Sequence, residues 1–132
     1  MVREARVEMT WLAVAVGGAL GASARYGLQS VVDRRLGAAF PFGIVAVNVL
    51  GCFVAGLLAG AVAGERLLLS STMRALAFTG ILGGFTTFSA FGLDTHALAR
   101  SGDWGSAVVN VVGQVGLGMM AVWLGFLLGG GR

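Results

Sequence analysis

The stretch Gly80–Asp94 reads GILGGFTTFSAFGLD and fills most of an uncharged run, Ala75–Leu93, long and apolar enough to enter a membrane. Its centre suits a membrane helix poorly. Glycine costs a helix about 1 kcal/mol relative to alanine, and here Gly83 and Gly84 are adjacent. Thr86, Thr87 and Ser89 then bring three hydroxyls to the same depth. Two readings follow. In one the helix is broken, which lipid tolerates only where protein or a water-filled cavity covers the exposed backbone; carbonyls freed there can hold a cation. In the other the helix is continuous and its glycines form a packing face.

The rest of the chain fixes the setting. It has 132 residues, 57% of them hydrophobic and 11% charged, against about 25% charged in soluble domains. Further uncharged runs cover Met9–Ala24, Leu36–Gly64 and Trp104–Gly131. A membrane helix needs about 20 mostly apolar residues, and the short first run continues past Arg25 as YGLQSVV. The fold class is therefore all-α: a four-helix integral membrane unit forming a single domain over residues 1–132. Helices are expected at Thr10–Val32, Phe40–Gly64, Ser71–Ala99 with an interruption near 83–86, and Trp104–Gly129. Pro41 suits a helix start, where its missing N–H is harmless. The sequences GER at Gly64–Arg66 and RSGD at Arg100–Asp103 read as turns. Arg3, Arg6 and the ASA at Ala22–Ala24 imitate a cleavable signal, but the three spans that follow favour a first membrane helix.

All nine basic residues are arginines. They suit loops facing anionic lipid, and no basic stripe interleaved with aromatics points to nucleic acid. Arg3, Arg6, Arg66, Arg74 and Arg132 fall on one side of the membrane; Arg25, Arg34, Arg35 and Arg100 fall on the other. Five against four barely chooses an orientation under the positive-inside rule. Either the rule is noisy in so small a protein, or the chain inserts both ways and pairs with an inverted copy. Glycines one turn apart at Gly17/Gly21, Gly56/Gly60/Gly64, Gly80/Gly84 and Gly125/Gly129 fit close helix association.

Several side chains could carry chemistry at depth. Phe85, Phe88 and Phe91 are three apart and would share a helix face, either for packing or as a stripe of ring edges, whose positive potential attracts anions. Asn48, Asn110 and Gln114 are intramembrane amides, which serve as interhelical glue or as N–H donors to a dehydrated anion. Arg25, taken as lying near the end of the first span, can snorkel or attract anions to a mouth. No span has a central acidic residue, which a proton-coupled exporter usually needs. The lone Cys52 and the lone His96 leave no disulfide and no His-based catalytic or metal site within one chain, so no enzyme activity is expected.

Together these residues resemble the Fluc (CrcB) family of fluoride channels. The segments that carry the resemblance are GGALGASARYGL from Gly17, FGIVAVNVLGCFVAG from Phe42, GGFTTFSAFGLD from Gly83 and GMMAVWLG from Gly118. They cover nearly the whole chain, and the third is the most specific. The resemblance implies an antiparallel, dual-topology homodimer in the cell membrane, with two fluoride pores and a structural sodium ion on the twofold axis. By the same resemblance, the backbone carbonyls of Gly83 and Thr86 hold the sodium. Asn48, Phe88 and Phe91 line the pore, joined by Thr87 and Ser89 on the polar side of the broken helix, and Arg25 belongs to a vestibule. Ile44 stands where many members have threonine, Asp94 where glutamate is common, and Asn110 and Gln114 where tyrosine and serine are expected. A passive channel suits fluoride: neutral hydrofluoric acid crosses membranes, dissociates inside, and a negative interior drives the anion out. Two other readings stand beside this one. A small multidrug exporter would need a glutamate within the first span, and Glu8 lies only at its edge. A non-transporting membrane assembly subunit would show no flux.

Overall fold

The structure, a computed structural model, describes residues 2–132, with side chains from residue 7 onward, so the side chains of Arg3 and Arg6 lie outside the described residues. The first helix, α1 (Val2–Leu36), runs beyond the expected Thr10–Val32 at both ends. No proline interrupts it, and it stops only where Gly37 adopts φ +83° and donates its N–H to the Asp33 carbonyl at 2.9 Å. Arg34 and Arg35 sit in its last turn, beside the negative end of the helix dipole. Arg25 is therefore not at the end of the helix: the remaining turns put it about 17 Å from the carboxyl end at 1.5 Å per residue.

The second helix, α2 (Phe42–Ala63), starts after Pro41, whose carbonyl accepts the Val45 N–H at 3.1 Å. Asp33 reaches over from α1 and accepts the Gly43 N–H at 3.0 Å, satisfying one of the orphan donors of the first turn. The third span opens with α3 (Ser71–Arg74), capped by Ser70 Oγ accepting from Met73 N–H at 3.3 Å. It widens into π-type turns over Ala75–Leu82 and tightens again into α4 (Gly83–Phe85). Thr86 (φ −81°, ψ 157°) and Thr87 (φ −152°, ψ 120°) are extended, and α5 (Phe88–Arg100) follows. Last comes α6 (Trp104–Gly129), opened by Asp103 accepting the Ser106 N–H at 3.0 Å and closed by Gly130 at φ +103°. Those hydrogen bonds to Ser106 hold the Asp103 carboxyl below its usual range.

Four segments, Val7–Leu36, Phe42–Ala63, Ser71–Arg100 and Trp104–Gly129, are long and apolar enough to cross a membrane. At 1.5 Å per residue even the shortest spans about 33 Å, enough for a hydrocarbon core of about 30 Å. The chain is a multi-pass, all-α membrane protein. Within it, α1 lies along the third span and α2 along α6.

Facing glycine rows make both contacts. A Cβ at Gly17 would sit 2.8 Å from the Leu76 carbonyl oxygen, and one at Gly84 would sit 2.6 Å from that of Gly18. A Cβ at Gly21 would collide with the Ile81 carbonyl. On the other side of the bundle, Gly56 and Gly60 meet the Val122 and Phe126 carbonyls, while Gly125 and Gly129 meet those of Phe53 and Leu57. Backbone approach of this kind replaces the hydrophobic drive that lipid does not supply.

The extended residues, Thr86 and Thr87, fall at the carboxyl end of the expected 83–86 interval. Leu82 and Gly83 keep right-handed helical angles, and helix continues through Phe85. Gly84 is needed for contact with α1, whereas the departure from helix falls on the two threonines. Nor is Gly83 crowded within the subunit, since a Cβ there meets only the Phe78 carbonyl at 3.6 Å.

Candidate functional site

Thr86 and Thr87 lie near the middle of the Ser71–Arg100 span, where freed backbone groups must find partners inside the protein. Thr86 turns back on its own helix, its N–H and Oγ1 both donating to the Leu82 carbonyl, at 2.9 and 3.0 Å. Thr87 is held by α2. Its N–H donates to Asn48 Oδ1 at 2.9 Å, and its carbonyl accepts from Asn48 Nδ2 at 3.1 Å. The Thr87 hydroxyl then caps α5, accepting from Ala90 N–H at 3.2 Å and pairing with the Ser89 hydroxyl at 3.1 Å.

Among the carbonyls that lose their helical donors at the interruption are those of Gly83 and Thr86. In a continuous helix Gly83 would receive the Thr87 N–H and Thr86 would receive the Ala90 N–H. The first goes to Asn48 and the second to the Thr87 hydroxyl. Gly83 is exposed on the surface of the subunit. Among the described residues no three His, Cys, Asp or Glu side chains come together. The Gly83 and Thr86 carbonyls are neutral oxygens with the chemistry to face a cation at this level. On the other side of the interruption, the first turn of α5 presents backbone N–H groups without intrahelical acceptors, the positive end of a helix dipole. The carbonyl end of one helix and the amide end of the next thus meet at mid-membrane.

From Asn48 a relay of amides crosses to α6 and returns. Asn48 Nδ2 donates to Gln114 Oε1 at 2.8 Å, Gln114 Nε2 to Asn110 Oδ1 at 2.9 Å, and Asn110 Nδ2 to Thr95 Oγ1 at 2.8 Å. Thr95 Oγ1 ends the relay by donating to the Phe91 carbonyl at 2.8 Å. Asn110 is 1% exposed and Gln114 8%, so these are interior groups whose partners lie inside the protein. Beside the relay lies a cavity of about 450 Å³ whose wall includes Asn48, Gly83, Thr87, Phe88, Phe91 and Gln114.

The phenylalanines divide differently from the expected stripe. Phe85 ends α4, and the two extended residues that follow break the helical register, so it does not align with the other two. Its ring packs toward Gly51. Phe88 and Phe91 form a tilted pair on α5, ring centroids 5.3 Å apart at 50°, and Phe88 is 82% exposed on the subunit surface. Arg25, Ser89 and Asn110 are not on the cavity wall; Ser89 reaches it only through Thr87, and Asn110 through Gln114.

Sequence reasoning missed a second cavity, of about 320 Å³, where α1 and α5 end and α2 begins. Gln29, Asp33, Asp94 and Ser101 line it, and Asp94 Oδ2 is buried with no hydrogen-bond partner. The signal lay in two acids near the ends of separate spans, which no local motif connects.

The fold and this site define a small helical membrane protein with an interrupted central span, a buried amide relay and an aromatic-walled cavity. Residues 12–126 match the family described as CrcB-like protein, Camphor Resistance (CrcB), and the chain belongs to that family. Its relatives include the fluoride-specific ion channel FluC of Opitutus terrae, 48% identical over 118 residues covering 89% of each chain. FluC of Roseiflexus sp. is 46% identical, with 89% of this chain and 94% of the relative covered. FluC of Methylobacillus flagellatus is 47% identical, with 87% and 90% covered.

Proposed function

We propose that this chain is the subunit of a passive fluoride channel that lets the anion leave the cell, working as an inverted homodimer. The observation that carries the reading is the interruption at Thr86–Thr87. It places the amide end of α5, the Phe88–Phe91 pair and the Gln114 amide around one mid-membrane cavity.

Fluoride is small and strongly hydrated, so leaving water is costly unless close donors replace the hydration shell. A helix amino terminus attracts anions without a titratable group. Ring edges of Phe88 and Phe91 add positive quadrupole potential in the same place. Thr87, Ser89, Asn48, Asn110 and Gln114 contribute the polar side, directly or by fixing their neighbours. None of these groups changes charge near neutral pH, which suits passive conduction rather than proton-coupled export.

Three features support the inverted pair. The arginines divide five against four, Phe88 projects from the single subunit, and Gly83 lies exposed at mid-depth beside a carbonyl that has lost its donor. A partner in the opposite sense would cover all of these at once. The same carbonyls, Gly83 and Thr86 from each copy, would hold a sodium ion on the axis, whose charge offsets the cost of nearby anions. Arg25, within α1, is the basic residue available to draw anions toward a vestibule.

Phe88→Ile and Phe91→Ile keep apolar bulk and remove the ring edge. Each is expected to lower fluoride efflux from reconstituted vesicles at least about tenfold, corresponding to ~1.4 kcal/mol, with an unchanged dimer on gel filtration. Wild-type efflux in both variants would assign the pair to packing alone.

A further inference from the structure

The segment Ala75–Leu82 is wound wider than the rest of the third span, and nothing in its own residues requires it. The sequence ALAFTGIL holds no proline, and its alanines and leucines favour α winding. The cause lies across the contact with α1. Gly17 and Gly21 are four residues apart, one α turn, but the carbonyls that close over them belong to Leu76 and Ile81, five apart. In an α-helix residues five apart point about 140° away from each other, so the two carbonyls would not face α1 together. In π turns each N–H closes on the residue five back, and such residues stand one above the other.

The same five-residue step appears on the cavity side. Phe78 and Gly83 both line the cavity, and the Gly83 N–H reaches the Phe78 carbonyl while also donating to that of Gly80. Winding as α would set Gly83 about 140° around the helix from Phe78. One widened stretch thus serves two neighbours, α1 on one face and the cavity on the other. Because its turns close on the fifth residue instead of the fourth, a π stretch holds about one residue more than the α turns it replaces.

We propose that Ala75–Leu82 is a positioning device: its π turns take up one surplus residue, which brings Gly83 to the cavity wall in phase while Leu76 and Ile81 stay seated on α1. Gly83 begins the turn that leads to the interruption, so the phase set here carries on to Thr86 and Thr87. Upstream, Ser70 caps the span, and the Thr72 hydroxyl pairs with that of Thr10 on α1 at 3.3 Å. Downstream, Asn48 holds Thr87. With both ends tied, the surplus is not shed by turning either one. This winding is a property of the single subunit and does not depend on the ion that the protein conducts.

Removing and adding a residue at one point, in the full chain, separates this device from ordinary helix packing. In an α-helix either change turns everything downstream by about 100°, in opposite senses, and both should harm alike. Deletion of Thr79 instead removes the surplus. Ile81 becomes the fourth residue after Leu76, in step with Gly17 and Gly21, and Gly83 becomes the fourth after Phe78. The deletion variant should keep the parent's elution volume on gel filtration, match or exceed its unfolding midpoint in detergent, and keep fluoride efflux within about threefold. An alanine inserted after Thr79 should lower the midpoint and cut efflux at least about tenfold. In the unaltered protein, labelled with carbon-13 and nitrogen-15 in micelles, the coupling carried across the hydrogen bond should join Gly83 N to the Phe78 carbonyl carbon. It should not join that of Thr79, the partner in an α-helix. Equal damage from deletion and insertion would overturn the proposal. So would a Gly83 coupling to Thr79, a result that can be read even if neither variant folds. Absence of efflux from the unaltered protein would sink the channel reading and leave the midpoints and the coupling to decide this one.

Discussion

Fluoride flux is expected to disappear when the chain is locked into one orientation and to return when oppositely locked copies are made together. The arginine balance of five against four leaves insertion nearly undecided. Two arginines added after Arg132 raise the heavier side to seven against four. Ala38→Arg with Ala39→Arg makes it five against six, at exposed positions between α1 and α2. A single orientation cannot supply the inverted partner, so the Gly83 and Thr86 carbonyls and the exposed Phe88 would lack their complement. Each locked form reconstituted alone should show flux at background, and the pair should recover most of the wild-type rate. Full flux from either locked form by itself would rule out the inverted pair.

The largest effect on stability is expected at Gly21. A single methyl there would enter the space of the Ile81 carbonyl and approach Phe85 N to 2.8 Å. Both neighbours are backbone, so no flexible side chain can yield. Relief requires α1 to swing away from the third span, which separates the facing glycine rows along their length. The cost of Gly21→Ala should exceed the ~1–3 kcal/mol typical of an overpacked core. Gly27→Ala is the control on the same helix, since a Cβ there meets nothing within 4 Å. Thermal unfolding in detergent should show Gly27→Ala close to the parent, with Gly21→Ala strongly lowered or never monodisperse. Equal midpoints would mean that the helices do not approach as closely as described.

Much of the architecture can be read along the chain because membrane spans are local features. Runs of uncharged residues locate α2 and α6 within a few positions, and glycines one turn apart mark the faces that meet. The interruption is harder. Gly83 and Gly84 look like the breaking point because glycine weakens helices, yet in lipid glycine also serves close packing, and Gly84 does so against Gly18. What ends α4 is a competitor for the backbone: Asn48, 39 positions earlier, takes the Thr87 N–H. No local pattern encodes that bond. The same limit applies to Gln114, 66 positions from Asn48. Its amide is visible as a polar residue at depth, but its direction depends on partners from three helices. The spacing of Phe85, Phe88 and Phe91 implies a shared face only while the helix is unbroken, and the break after Phe85 removes that condition. Arg25 lies well inside α1 because no stop signal follows Val32 until Gly37, so the helix runs on past the expected end of the span.

The most direct test of the central claim is fluoride efflux from vesicles holding only the unaltered protein, loaded with equal fluoride and chloride. A potassium ionophore balances charge, and no proton gradient is applied. Fluoride should leave rapidly down its gradient while chloride stays inside. Retained fluoride, or chloride leaving at a comparable rate, would contradict the account.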